Sequence, residues 1–154
     1  MSEMTENLEL RGELDIVVFD KNGAVKQTQT VENLVVNTGL AFIISRMVGT
    51  SKSVMGFMAV GSGSTAAAAG DTALGSQLGS RKALDSTTIT GSNNEKVQYV
   101  CTFAAGEGTG AITEAGIFNA SSSGDMLCRT VFAVVNKAAD DTMVITWTVT
   151  LSAS

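Results

Sequence analysis

The sequence predicts an all-β domain, an antiparallel β-sandwich or jelly-roll-like fold with one short amphipathic helix over about residues 38–48. Three observations predict it. Met143, Ile145, Trp147, Val149 and Leu151 alternate with Thr146, Thr148 and Thr150, the period of two that a half-buried strand requires. Roughly eight such segments follow one another, separated by short Gly-, Asn- and Ser-rich turns, as in sandwiches and barrels. Only one stretch carries a helical period instead.

The elements follow in chain order. Residues 1–11 are polar, with Leu8 and Leu10 alternating against Glu9 and Arg11. They form either an N-terminal arm laid on a neighbouring chain or the first strand of the same domain, and residues 12–154 form a single β domain. Leu8, Leu10 and Arg11 are the expected partner interface. Leu14, Ile16 and Val18 then define a strand ending at Phe19, and Asp20-Lys21-Asn22-Gly23 supplies a hairpin turn. The return strand, Val25 to Val31, sends Lys26, Thr28 and Thr30 outward. Asp20 and Asn22 are turn residues, because the remaining ligands of a calcium loop are missing.

Asn37 or Thr38 is placed to cap the helix, in which Leu40, Ile43, Ile44, Met47 and Val48 make an i, i+3, i+4, i+7, i+8 stripe. The stripe is expected to close one end of the β core, with a partner-binding face as the alternative. Gly49 stops the helix, and Arg46 suits its last turn. A short apolar run, Met55 to Val60, enters a Gly-rich stretch up to Gly79, in which Asp71-Thr72 can cap one turn of helix. That stretch lacks the Gly-Lys-Ser/Thr and the Gly-x-Gly-x-x-Gly that cradle phosphates, so it reads as a surface loop. Strands resume at Arg81 to Thr90 and return through Val97, Tyr99, Cys101 and Phe103. Further strands span Ile112 to Phe118, Leu127 to Val135 and Met143 to Leu151.

Composition narrows the chemistry. Of 154 residues 44% are apolar and only 16% charged, and there is no histidine and no proline. Without histidine the commonest general base, the Ser-His and Cys-His pairs and the usual zinc ligand are gone. The expectation is a protein that is not an enzyme, with no catalytic residues, no cofactor and no metal. The net charge of −5 and scattered basic residues argue against nucleic acid. No apolar stretch reaches 18 residues, so no membrane partner is expected. The acidic, polar N-terminus shows no secretory signal, so synthesis in the cytoplasm is expected. Cys101 and Cys128 read as reduced core residues. Trp147 reads as a core anchor, and Asn119-Ala120-Ser121 as a sequon without meaning in that compartment. Asp140-Asp141 are expected to diverge into water from a turn. Glu107 and Glu114, the least implausible acid–base pair, are expected to be solvated or hydrogen-bonded to loop backbone.

Four segments carry a resemblance. They are Val31 to Leu40; Met58 to Thr65 leading to Gly70-Asp71-Thr72-Ala73-Leu74; Ile112 to Ala120; and Arg129-Thr130-Val131-Phe132 before the Asp140-Asp141-Thr142 turn. In that order they resemble a widespread group of tailed-bacteriophage structural proteins, over about residues 31–151. The resemblance implies a virion component assembled in the bacterial host cytoplasm, with the major capsid protein or other virion proteins as partners. Its motifs look like fold motifs and transfer no catalytic residue. Only Ser152, Ala153 and Ser154 follow Leu151, with no coiled-coil or receptor-binding extension. On that ground a head decoration (cement) protein is expected ahead of a tail-fibre or baseplate module. A virion glycan hydrolase working through Glu107 and Glu114 ranks last. The low charge and Thr-rich outer faces suit a homo-oligomer, trimer or dimer.

Overall fold

The computed structural model describes residues 7–49 and 52–153. Among these, nine strands and one helix are present: β1 (Leu8–Phe19), β2 (Val25–Val35), α1 (Asn37–Met47), β3 (Phe57–Gly61), β4 (Lys82–Ala83), β5 (Ser86–Thr90), β6 (Lys96–Phe103), β7 (Gly110–Phe118), β8 (Met126–Lys137) and β9 (Thr142–Ala153). Every pairing is antiparallel. The strands make one curled sheet in the order β4-β3-β7-β8-β2-β1-β9-β6-β5. All-β architecture is therefore correct.

The curl follows from the alternation in the sequence. Leu14, Ile16 and Val18 of β1 are buried beside Met143, Ile145, Trp147 and Val149 of β9. They share one cluster with Met58 and Val60 of β3, Cys101 and Phe103 of β6, and Ile112 and Ile117 of β7. A sheet with one apolar face excludes water only by turning that face on itself. The two strands at its ends, β4 and β5, are consecutive in the chain. Between them Leu84 donates its N–H to the Gly56 carbonyl and Asp85 donates to that of Val100, so this short link touches both ends of the sheet.

The β3–β7–β8 half is covered on both faces. Its outer face carries a second small cluster of Val36, Ala59, Phe118 and Met126, packed against Phe57 and Leu74. A strand buried on both sides loses its alternation, which explains the unbroken burial from Glu114 to Phe118 in β7. A register shift between Ile112 and Glu114 lets Ile112 and Ala115 both face the main core.

Two expectations are corrected, and a choice between two readings is decided. First, of the helix stripe only Ile43 packs on the core. Gly39, Phe42 and Ser45 are the buried residues of α1, while Leu40, Ile44, Met47 and Val48 are exposed. Gly39 is the cause: a Cβ there would collide with the Leu127 carbonyl oxygen, so its lack of a side chain lets the helix lie directly on β8. Nor does Asn37 or Thr38 cap α1. Val36 is the N-cap residue, and the Thr38 hydroxyl donates instead to the Met126 carbonyl at 2.6 Å. Gly49 does take the left-handed conformation, at φ 66°, and its N–H donates to the Arg46 carbonyl. Second, of the two readings of residues 1–11, Leu8 to Arg11 take the first-strand one. They begin β1 and pair with β9, Leu8 opposite Ala153 and Leu10 opposite Leu151; residues 1–6 of the expected arm lie outside the described residues. Third, Asp141 is buried rather than solvated. It accepts from Lys26 Nζ at 2.6 Å and from the Ala138 N–H at 2.8 Å, tying the start of β2 to the turn before β9.

Candidate functional site

Parts of β7, β8 and the loop after β3 converge on one buried ion pair. Glu114 on β7 is fully buried under the loop that runs from β3 to Gly79. Its carboxylate accepts the N–H groups of Gly63 (2.6 Å), Gly75 (2.7 Å) and Ser76 (2.8 Å). Arg129 on β8 donates to it from Nε at 3.1 Å, to Asp71 Oδ2 from Nη1 at 2.8 Å, and to the Thr65 carbonyl from Nη2 at 3.0 Å. The same loop accepts from Thr113 Oγ1 at the Gly63 carbonyl. Asp71 caps no helical turn; it accepts the Ala68 N–H and the Arg129 guanidinium. The end of β2 and the start of α1 join in, since Thr130 Oγ1 donates to the Glu32 carbonyl and the Asn37 N–H to that of Ala69.

The glycines belong to this arrangement. A Cβ on Gly61 or Gly63 would strike the Glu114 carboxylate, so only glycine lets the loop backbone close over it. Burial pushes the Glu114 pKa up, but the amides of Gly75, Ser76 and Gly63 and the guanidinium of Arg129 outweigh it and leave the group below its ordinary value. Such a carboxylate holds an ionised charge in place. It is a poor proton donor or acceptor near neutral pH.

The acid–base pairing of Glu107 with Glu114 is therefore not supported by the surroundings of either residue. Glu107 binds Lys82 Nζ at 2.6 Å and the Ala104 N–H at 2.9 Å, and its pKa is lowered, first by Lys82. Each carboxylate is hydrogen-bonded to loop backbone, as expected from the sequence, and each has its own cation. Cys101 and Cys128 are buried free thiols. Trp147 is fully buried and donates from Nε1 to Asn33 Oδ1 at 2.7 Å, so it anchors the core. Among the described residues, no cluster of three or more Cys, Asp or Glu side chains is placed to hold a metal. Among these residues too, no helix is long and apolar enough to cross a membrane.

Two surface features remain as candidates for binding. One is the outward face of α1, where Leu40, Ile44, Met47 and Val48 are joined by exposed Val54. The other surrounds the expected interface residues Leu8, Leu10 and Arg11. There β2 parts from β1, leaving a groove of about 450 Å³ lined by Glu9, Leu10, Arg11, Gly12, Glu32 and Asn33. Sequence reasoning missed the Glu114–Arg129–Asp71 network. Its signal was available as a charged residue inside an otherwise apolar strand, Ala115 to Phe118 following Glu114.

Comparisons with family models, with curated proteins and with solved structures find no match for this chain.

Proposed function

We propose that this chain is a non-enzymatic structural protein of a tailed-bacteriophage virion, a head decoration (cement) protein that binds and stabilises the capsid shell. The observation that carries the reading is the convergence just described. Parts of the segments that resemble phage structural proteins meet in a network whose polar groups hold a loop against β7 and β8. Motifs of that kind build a rigid module and leave function to its surfaces. The exposed apolar face of α1 and the weakly charged sheet suit contacts with the major capsid protein or other virion proteins. On a symmetric shell, many copies gain by multivalency, so modest contacts per copy suffice. Assembly takes place in the host cytoplasm, with the chain as a homo-oligomer on its site. We also read the curled sheet as a sandwich of jelly-roll type, supported by the single core shared between its β1–β9–β6 and β3–β7–β8 halves.

Electron cryomicroscopy of the particle tests the reading. Density for this chain on the head supports it. Density confined to the tail tip or fibre replaces it with the tail-fibre or baseplate module, and a particle lacking the chain removes both.

A further inference from the structure

The two strands at the ends of the sheet are protected very differently. β4 is only Lys82 and Ala83, and further along β3 the edge is covered by Gln77 and Leu78. β5 runs for five residues, Ser86-Thr87-Thr88-Ile89-Thr90, with no charge, no proline and an unbroken register against β6. Short length, charge, proline, a bulge or a covering segment are the devices that keep a free edge from pairing. β5 has none of them. Among the described residues, no backbone hydrogen bond joins residues 85–90 to anything but β6. Ile89 is 68% exposed, although its row continues through Val97 of β6 to the buried Val149 of β9.

We infer that β5 pairs antiparallel with β5 of a second copy about a two-fold axis through Ile89. The chemistry of the edge selects the occupant: an uncharged strand with one exposed isoleucine is matched by an uncharged strand with an isoleucine to set against it, and a second copy supplies both. Face and space select the register. Directly opposed residues share a face, so an axis between two residues sets Ser or Thr of the other face against Ile89. Axes at Ser86 and Thr87 set a residue of the second copy opposite Leu84, whose N–H the Gly56 carbonyl already takes. An axis at Thr88 brings the turn that starts at Gly91 up to Asp85, next to that position, and sets Ile89 against a threonine. An axis at Thr90 runs into the same turn. The axis at Ile89 leaves the Gly56 contact alone. It sets Thr88 against Thr90 twice and Thr87 against Gly91, where each chain turns back to its own β6 through the Asn94-to-Gly91 hydrogen bond.

The pairing lines up Val149, Val97 and Ile89 with Ile89, Val97 and Val149 of the second copy as one apolar row. The two sheets join as β9-β6-β5-β5-β6-β9 across an isologous contact. Ile89 leaves water, and the β-branched Thr88–Thr90 pairs lie on the other face. Few residues take part, so the contact is weak in free solution and gains where a lattice holds copies close together. This inference deepens the homo-oligomer part of the proposed function by naming its surface. A chain that decorates particles yet stays monomeric overturns this inference alone, and a dimer that no particle carries overturns the virion reading alone.

Sedimentation equilibrium of the full chain up to millimolar concentration tests it. A monomer–dimer equilibrium is expected; a monomer throughout, or a trimer, overturns the proposal. Ile89→Lys sets two ammonium groups opposite each other at the axis and should weaken the dimer by on the order of tenfold or more. The monomer's melting temperature should hold, because the side chain it replaces is exposed. A folded variant that self-associates like the parent overturns the proposal. Cysteine cross-linking reads the register. Directly opposed strand residues lie about 4.5–5.5 Å apart at Cα, within disulfide range, whereas diagonal neighbours lie about 7–8 Å apart, beyond it. The native thiols are buried. Mild oxidation should therefore give a covalent dimer of Ile89→Cys, none of Thr88→Cys or Thr90→Cys alone, and one from an equimolar mixture of the last two. Failure of Ile89→Cys to cross-link where the parent is dimeric, or a covalent dimer of Thr88→Cys alone, overturns the register.

Discussion

Arg129 donates from Nε to Glu114 Oε1 across 3.1 Å, with the two side chains 3% and 0% exposed. Two charges removed from water this completely require that their remaining hydrogen-bonding positions be filled. Three backbone amides fill those of Glu114, while Asp71 and the Thr65 carbonyl fill those of Arg129. The pair is thus the point at which the loop between β3 and β4 is attached to the sheet.

Glu114→Gln removes the charge and turns an amide NH₂ toward amide donors. We expect a loss of about 3–5 kcal/mol, the usual cost of breaking a buried pair from one side. Hydrogen exchange should show the amides of Gly63, Gly75 and Ser76 losing protection before β1 and β9 do. Unchanged protection at those three amides would sink the loop-anchor assignment.

Acid acts on the same network. The folded pKa values of Glu114 and Asp71 are lowered, that of Asp71 mainly by the Ala68 amide with burial opposing. In the range below the ordinary values of 4.5 and 3.8, the unfolded chain therefore binds more protons than the folded one. Stability from these groups is complete above that range and is lost as the pH falls through it. Urea midpoints measured from pH 6 to pH 3 should fall steeply for the parent and less steeply for Glu114→Gln. Parallel curves would exclude Glu114 as a source of the acid sensitivity.

The orientation of α1 makes a paired prediction. Ile44→Gln, on the exposed face, should change stability by no more than about 0.5 kcal/mol. Phe42→Ala, on the face against β8, should cost about 3 kcal/mol or more by leaving a cavity. Thermal melts of the two variants separate the faces, and the reverse ranking would restore the Leu40–Ile44–Val48 side as the buried one.

Burial pushes the Cys101 thiol up to about 12 and raises Cys128 well above its ordinary value. The thiolate is the reacting form. A thiol reagent at pH 8 should therefore leave the folded protein untouched for hours and titrate both cysteines at once in denaturant. Rapid modification of one thiol in the folded chain would contradict its placement.

Much of this protein is written in short-range pattern. The alternation of Leu14, Ile16 and Val18, of Tyr99, Cys101 and Phe103, and of Met143 to Val149 identifies strands and their buried faces, because side-chain direction in a strand depends only on neighbouring residues. The Asp20–Gly23 turn and the Gly49 stop are legible for the same reason, each being a local backbone demand met by glycine. Other features depend on what the chain meets from far away. Leu40, Ile44, Met47 and Val48 form a sound helical stripe, yet the face that packs is chosen by Gly39, whose missing side chain admits the Leu127 backbone of β8. Leu8 to Arg11 join β1 because β9 lies alongside to accept them. Glu114 finds its partners 15 to 51 residues away in sequence, and its burial is tolerable only once loop amides and Arg129 surround it. Asp141 likewise leaves water because Lys26, 115 residues earlier, reaches it. Periodicity records which way a side chain points, whereas the balance of desolvation and pairing is set by groups that only the folded sheet brings together.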